Sequence, residues 1–234
     1  TYNQARWLPA AIDSVKGQTA EDWELIVVND GSTDGTRSFL DRIDAPRIRV
    51  VHQENARLPA ARNRGFGAAR GQFLTWTSSD NLLAPTMLER LGAALEEHPE
   101  VGFVASHFGW IDASGRLLRL TRDQDLRPRS LAILNPGIAG FLYRADLARE
   151  VGEYDRDLEG AEDWDMWIRL AAAAPNAVLP EVLYYYRTHD ESMTARIPDR
   201  VRAASGGTLR SARRRCGGEK GLEGRYPELG ERVR

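Results

Sequence analysis

Four clusters of polar residues lie where strands are predicted to end, and their side chains are of kinds that bind nucleotides and metal ions. The clusters occupy residues 1–3, 29–32, 78–81 and 162–163. Arg62 lies on a predicted helix between the second cluster and the third. In open α/β sheets, ligands gather beyond the carboxyl ends of the strands. The spacing therefore predicts one polar site that is assembled from distant segments.

Asp80 is the lone carboxylate in "TWTSSDN" (75–81). It could cap the helix that is predicted to begin around Pro85, although the four intervening residues make a long separation for direct capping. It could instead bind Mg²⁺ or Mn²⁺, because one protein carboxylate suffices when a diphosphate supplies other oxygens. The residues alone leave both roles open.

Asp30 ends an apolar segment and is followed by Gly31. Its carboxylate could accept hydrogen bonds from a base or a ribose, and Gly31 would permit a close approach. Alternatively, Asp30 forms an Asx turn that caps the next helix, with Ser32 and Asp34 as further caps. The G-x-G-x-x-G motif of dinucleotide folds is absent, which argues against NAD as the ligand.

Glu162 and Asp163 begin a predicted helix, where acids stabilise the helix dipole. A catalytic alternative is a general base, which needs a partly desolvated carboxylate within reach of a substrate hydroxyl. Trp164 and Trp167 could supply apolar walls for such a base. His189 is either a surface residue or a ligand of a metal or phosphate, if its loop folds back over the site.

The elements that must position these residues alternate between strand and helix in the first half of the chain. Strands are predicted at 24–28, 47–52 and 72–77, and helices from the turn at 29–36 to about Ile43, at 58–71 and at 85–97. This order predicts an α/β fold with a mostly parallel, Rossmann-like sheet flanked by helices.

The second half is less regular. Strands are predicted at 101–112 and 177–189, a strand and short helix within 137–147, and a helix at 162–174. From about Arg196 the chain is basic and rich in glycine. We expect one domain over 1–195, with halves of about 1–100 and 101–195, followed by a tail at 196–234.

Composition excludes several classes of protein. The chain has 234 residues and a net charge of −2, which gives no overall attraction to nucleic acid or to an anionic membrane. Cys216 is the one cysteine, so no intrachain disulfide can form, as is usual in a reducing compartment. No apolar run is long enough to span a bilayer and no signal peptide is present, so we expect a cytoplasmic protein, or one peripheral to the inner face of the membrane.

Taken together, these segments resemble the inverting glycosyltransferases of family 2, which have the GT-A nucleotide-sugar fold. The agreement keeps the family's order over roughly the first 195 residues, which makes chance matching of short motifs an inadequate explanation. The matching segments are "TYNQARWLPAAIDSVKGQT", "WELIVVNDGSTDGT", "NARLPAARNRG", "GQFLTWTSSDNLLAPTML", "VGEYDRDLEGAEDWDMWIRL" and "LYYYRTHDESMT".

The resemblance implies which residues contact the nucleotide. Thr1 and Tyr2 correspond to residues beside the base, and Asp30 to the acid that holds the base. Arg62 corresponds to an arginine at the nucleotide pocket. Ser79 provides a hydroxyl that could orient the ribose or metal-bound water.

The resemblance also implies the catalytic groups. Asp80 corresponds to the last acid of the family's D-x-D motif and would bind Mg²⁺ or Mn²⁺, with His189 as a second ligand. Asp163 corresponds to the general base. Glu162 and Trp164 would lie on the acceptor side.

This chain departs from the family pattern in two places. The D-x-D motif reads Ser78-Ser79-Asp80, so its first acid is missing and weaker metal binding is expected. Family members also carry a central apolar strand just before "TYN", and we expect that this chain is a fragment of a longer protein.

The resemblance implies an enzyme that moves a hexosyl or related sugar from a UDP-, GDP- or dTDP-linked donor to an acceptor hydroxyl. The acceptor would be a glycan, a lipid-linked sugar or a protein, as in the synthesis of cell-surface polysaccharides. The alternative is a non-catalytic nucleotide-sugar-binding relative with a degenerate D-x-D motif.

Overall fold

The structure is a computed structural model that describes residues 1–122, 125–126, 128–131, 135 and 137–196. The tail from residue 197 and part of the half at 101–195, which the resemblance assigns to the acceptor, lie outside the described residues. The helices are α1 (Leu8–Lys16), α2 (Thr36–Leu40), α3 (Leu58–Ala68), α4 (Met87–Glu97), α5 (Pro128–Leu131), α6 (Ala145–Val151), α7 (Glu162–Ala173) and α8 (Met193–Arg196), with a 3₁₀ turn at Arg156–Leu158. The strands are β1 (Leu25–Asp30), β2 (Ile48–Gln53), β3 (Phe73–Leu74), β4 (Leu82–Leu83), β5 (Phe103–Ile111), β6 (Leu117–Thr121), β7 (Phe141–Arg144) and β8 (Asn176–Arg187).

The described strands form two sheets. β1 and β2 are parallel, with Leu25 opposite Ile48 and Asp30 opposite Gln53. The other six strands have the order β3-β7-β5-β8-β4, and β6 pairs with β5. This arrangement confirms the α/β class, with the polar end of β1 beside the loop that follows β2.

Parallel pairing joins β1 to β2 and β5 to β8, as the Rossmann-like prediction requires. The remaining pairs among the described strands are antiparallel. One cause is the tight turn between β5 and β6, where Asp112 accepts hydrogen bonds from Ser114 and Arg116. A tight hairpin necessarily produces an antiparallel pair, so the larger sheet is mixed.

Several predicted boundaries differ from the structure, and three of them flank the loop at 75–81. The strand predicted at 72–77 pairs only over β3, and the chain then leaves the sheet as a loop. Helix α3 ends at Ala68 rather than at Gly71, and α4 begins two residues after Pro85. The loop therefore includes all of the polar residues 75–81, which positions them for binding rather than for sheet pairing.

Trp167, on α7, is the centre of the aromatic core and is fully buried. Its ring stacks on Phe103 at 5.3 Å between centroids and meets Phe141 edge-on at 4.4 Å. Trp76, from the loop after β3, also stacks on it at 6.4 Å. This packing holds the loop against α7, so the core fixes the distance between two of the predicted site segments.

Arg169 secures the other side of α7. Its side chain bonds Asp165 one turn earlier, at 2.9 Å. It also donates to the carbonyl oxygens of Val151 and Gly152, at the end of α6. The last carbonyl groups of a helix lack hydrogen-bond donors within the helix, so a buried cation that donates to them stabilises the end of α6. It thereby fixes the start of the segment that carries Tyr154.

Among the described residues, no helix combines the length and the apolar character that crossing a bilayer requires.

We predict that Trp167→Ala lowers the free energy of unfolding by about 3–5 kcal/mol, because the truncation leaves a cavity among buried rings. Leu118→Ala serves as the control, since Leu118 is 49% exposed and should change the value by less than about 0.5 kcal/mol. Urea denaturation measures both. Equal effects of the two substitutions would contradict the assignment of the core.

Candidate active site

The carboxyl end of β1 carries Asp30, which is 4% exposed. Its Oδ1 accepts hydrogen bonds from the Gln53 side chain at 2.7 Å and from the Ala56 N–H at 2.9 Å. Thr1 lies alongside this strand, since its nitrogen donates to the Val28 carbonyl at 2.7 Å and its carbonyl accepts from the Asp30 N–H at 3.0 Å. Thr1 and Asp30 therefore meet at one strand end.

Other residues provide the turn and cap that were considered for Asp30. The Asn29 side chain accepts from the Ser32 N–H at 3.1 Å, which closes the turn after β1. The Asp34 carboxylate accepts from the Thr36 N–H at 2.9 Å, at the start of α2. Because Asn29 and Asp34 satisfy these groups, the Asp30 carboxylate instead joins β1 to the loop after β2.

Gly31 has a φ of +75°, in the left-handed region. A Cβ atom at this position would lie 2.7 Å from the Asn55 backbone nitrogen, so a larger residue would force the backbone to shift. The close approach that Gly31 permits is therefore to the chain's own backbone.

A groove of about 90 Å³ runs along β1, where residues 25–28 line it. Apolar side chains of α1 and β1 line it, together with Thr1, Thr77 and Ser79. The groove thus brings together Thr1 and Ser79, two of the predicted nucleotide residues. Tyr2 lies beside Thr1 with 49% of its surface exposed.

Asp80 contacts His189, with 3.1 Å between Oδ2 and the imidazole Nε2. Trp7 packs against the imidazole at 4.8 Å between ring centroids. The Arg187 side chain donates to the Asp80 backbone carbonyl at 2.8 Å, and the Arg187 backbone N–H donates to the Asn81 side-chain oxygen at 2.8 Å. Asp80 therefore faces the segment after β8 and does not cap α4, while Asn81 fixes the loop to β8.

Asp80 and His189 are the groups that could hold a divalent ion. The described residues contain no cluster of three or more side chains suited to a metal. The His189 Nδ1 is buried without a hydrogen-bond partner in the described part of the chain. One carboxylate and one imidazole fit an ion that takes its remaining ligands from a diphosphate and water.

Glu162 and Asp163 occupy the first turn of α7. Glu162 is 2% exposed, and its Oε1 accepts a hydrogen bond from Arg62 at 2.7 Å. Its Oε2 accepts from the Gly160 N–H at 2.6 Å. Asp163 is less buried than Glu162, and its Oδ1 accepts from the Trp164 N–H at 2.6 Å. Of these adjacent acids, Glu162 is therefore bound by protein groups and Asp163 is closer to solvent.

Arg62 lies between aromatic rings as well as against Glu162. Its guanidinium carbon is 3.4 Å from the centre of the Trp76 ring and 5.4 Å from that of Tyr154. The Trp76 N–H donates to the Tyr154 hydroxyl at 2.9 Å. The arginine predicted for the nucleotide pocket is thus held in the wall of the site, with its side chain 8% exposed.

The pKa of Asp163 is raised to about 6, first by removal of its carboxyl from water and second by the charge of Glu162. The Arg62 cation and the Trp164 N–H lower the pKa and so offset part of this rise. A carboxylate with a pKa near neutrality can accept a proton from a hydroxyl more effectively than an ordinary aspartate. A strongly perturbed pKa of this kind marks Asp163 as a candidate functional residue.

Trp164 belongs to the core rather than to an open surface. It is 5% exposed, and its N–H donates to the Leu131 carbonyl at 2.7 Å. Both residues expected on the acceptor side, Glu162 and Trp164, are therefore buried.

The loop at 75–81 connects the predicted residues. Its Trp76 supports Arg62, its Ser79 lines the groove beside Thr1, and its Asp80 contacts His189. Trp7, Trp76 and Tyr154 complete these contacts, and the sequence analysis does not predict these roles. A tryptophan inside a polar motif was the one available signal, in "TWTSSDN".

Comparison with known proteins agrees with this architecture. The family description "Glycosyl transferase family 2" matches residues 1–150. An uncharacterised glycosyltransferase of Nostoc sp. is 30% identical over 207 residues, which are 80% of this chain and 62% of that protein. The putative glycosyltransferase EpsH of Bacillus subtilis is 26% identical over 83% of this chain and 61% of its own length. An uncharacterised glycosyltransferase of Rickettsia felis is 29% identical over 84% of this chain. The chain spans about a third of that rickettsial protein and about three fifths of the other two.

Two solved structures share the fold. S. aureus TarS 1–349 in complex with UDP-GlcNAc has a TM-score of 0.77 at 19% identity, covering 99% of this chain and 69% of that one. The mannosyltransferase PcManGT from Pyrobaculum calidifontis, in complex with GDP-Man and Mn²⁺, has a TM-score of 0.72 at 21% identity, covering 98% and 67%. These similarities confirm a GT-A fold.

Asp163 should make stability depend on pH. Its folded-state pKa of about 6 exceeds the unfolded value of about 3.9, so between these values the folded chain binds more protons. This contribution to stability therefore falls as the pH rises through the window. Asp163→Asn removes it, so the variant should gain stability relative to the unsubstituted chain from about pH 4 to 7 and then level off.

Urea denaturation across this pH range measures the difference. Asp157→Asn, at an exposed acid in the preceding turn, is the control and should give a nearly constant difference. A constant difference for Asp163→Asn as well would contradict the raised pKa.

Proposed function

This chain belongs to glycosyl transferase family 2, and on that premise we propose an inverting transfer of a sugar from a nucleoside diphosphate sugar to an acceptor hydroxyl. The observation that supports this most is the placement of Asp163. It pairs a pKa of about 6 with a position at the edge of a buried charged cluster. We propose as acceptor a hydroxyl of a glycan, a lipid-linked sugar or a protein. We also propose that the reaction takes place in the cytoplasm and contributes to the synthesis of cell-surface polysaccharide.

The donor nucleotide would lie across the end of β1. Thr1, Tyr2 and Asp30 would contact the base and ribose, and Ser79 would face the ribose from the opposite loop. The relatives whose structures contain UDP-GlcNAc and GDP-Man motivate a nucleotide-sugar donor and make UDP and GDP the first nucleotides to test. We add dTDP as a third nucleotide to the screen.

Asp80 and His189 would hold a Mg²⁺ or Mn²⁺ ion together with oxygens of the donor diphosphate. Such an ion supplies charge neutralisation for the leaving nucleoside diphosphate. Arg187 and Trp7 keep this pair in place, because they contact the Asp80 backbone and the His189 ring, respectively.

Asp163 would take the proton from the acceptor hydroxyl as its oxygen attacks the anomeric carbon. The new glycosidic bond would form on the face of the anomeric carbon opposite the diphosphate. The bond from the anomeric carbon to the diphosphate oxygen would break, and its electron pair would leave with the nucleoside diphosphate. A single displacement of this kind inverts the anomeric configuration. General-base assistance contributes on the order of 10²–10⁴ in rate.

We predict that Asp163→Asn lowers kcat by about 10²–10⁴, because an amide cannot accept the proton. Binding of UDP or GDP, measured by calorimetry with Mn²⁺, should persist within about twofold. Asp157→Asn, which removes an exposed acid nearby, should keep both properties. Loss of nucleotide binding together with turnover would instead point to a structural role for Asp163.

Asp80→Ala should abolish the gain in melting temperature that Mn²⁺ gives to the nucleotide complex, because the carboxylate ligand is lost. A thermal-shift screen of UDP-, GDP- and dTDP-sugars with Mn²⁺ or EDTA measures this gain. Asp13→Ala, at a side chain that is 73% exposed, is the control. A gain that survives in Asp80→Ala would contradict the assigned ligand, and binding without turnover in the unsubstituted chain would favour the non-catalytic alternative.

A further inference from the structure

We infer that Arg62 is a positioning residue for the base: by binding Glu162, it fixes the first turn of α7 and keeps Asp163 in a state that accepts a proton. This inference rests on the proposed function. It assigns Arg62 to the protein's own acids, in place of the contact with the nucleotide that the resemblance implies.

The geometry of the ion pair supports this role. Arg62 on α3 and Glu162 on α7 are 100 residues apart in the chain, and their side chains are 8% and 2% exposed. Both oxygens of Glu162 have donors, because Gly160 binds the second one. Asp163 follows directly in the same helical turn, so an orientation fixed at Glu162 is passed to Asp163 through one peptide unit.

The aromatic contacts hold the Arg62 guanidinium in this position. It lies 3.4 Å from the centre of the Trp76 ring, and the Tyr154 ring is 5.4 Å away. Trp76 and Tyr154 are joined by a hydrogen bond, so both rings are fixed. If Arg62 turned toward a phosphate, it would lose these contacts and leave the buried Glu162 carboxylate without its cation.

The charges around Asp163 give the same role an electrostatic basis. Glu162 and Arg62 are the charged groups with the largest effects on Asp163, and the Asp163 charge in turn raises the pKa of Tyr154. Burial and the Glu162 charge raise the pKa of Asp163, and Arg62 lowers it. Burial also raises the pKa of Tyr154 to about 12, so this hydroxyl stays neutral at physiological pH. Arg62 is therefore the cation that offsets two adjacent acids.

The test is a pH titration of Asp163 by ¹³C NMR of aspartate carboxyl carbons, with the signal assigned by its loss in Asp163→Asn. Arg62→Gln should raise the pKa of Asp163 by about one unit or more, since a neighbouring opposite charge typically lowers a carboxyl pKa by about 1–3 units. Glu162→Gln should shift the pKa in the opposite direction, because it removes the like charge.

Arg57→Gln is the matched control. Arg57 immediately precedes α3 and pairs with Glu159 at 3.3 Å, but its side chain is 59% exposed. The same chemical change there should leave the pKa of Asp163 within about 0.2 units, because solvent screens an exposed pair.

Kinetics and nucleotide binding separate the two roles of Arg62. Positioning predicts that Arg62→Gln moves the acidic limb of the kcat profile to higher pH, while the Kd for UDP or GDP changes by less than about twofold. A tenfold or greater loss of nucleotide affinity with an unchanged Asp163 pKa would overturn the inference and make Arg62 a donor ligand.

Arg62→Lys and the Glu162→Gln variant keep the test decisive if Arg62→Gln does not fold. Arg62→Lys retains the charge and should keep the pKa of Asp163 within about half a unit, with a lower kcat because lysine lacks the planar fork. Glu162→Gln should still lower the pKa, and an unchanged pKa in that variant would overturn the inference. An inactive unsubstituted chain would instead refute the proposed transferase, while the titration would still decide the role of Arg62.

Discussion

The buried contact between Arg62 and Glu162 is the constraint on which the site depends. It joins α3 to α7 with two side chains that are almost completely removed from water. Breaking such a pair by removing one partner is costly, because the remaining charge stays buried. The two helices are consequently fixed relative to each other at the point where Asp163 emerges. The acid is thus held in place by packing and charge rather than by a flexible loop.

The loop at 75–81 makes the second connection. Trp76 contacts both Arg62 and the Trp167 core, and Asp80, four residues further on, contacts His189. One short segment therefore joins the aromatic core, the candidate metal ligands and the arginine that binds Glu162. Strand β3 is only two residues long, so the residues after it are not paired in the sheet. Their side chains can therefore contact different partners.

Much of this arrangement could be predicted from the sequence. Apolar runs bounded by turn residues located β1 and β2, and the ordered motifs indicated the GT-A fold. The antiparallel pairing of β7 with β5 could not be predicted from the sequence, because strands that are far apart in the chain leave no local pattern of their pairing. Likewise, the motif that matches Arg62 to a nucleotide pocket gives no indication of its contact with Glu162. That contact depends on how α3 and α7 pack, which only the folded chain determines.

A crystal structure with a bound nucleoside diphosphate sugar and Mn²⁺ tests the central claim most directly. The account predicts the diphosphate between Asp80 and the end of β1, with Asp163 facing the anomeric carbon from the side opposite the diphosphate. It also predicts that Arg62 remains on Glu162. The account would be contradicted by a donor that is bound away from Asp163. It would also be contradicted if Asp80 and Asp163 did not contact the same bound donor.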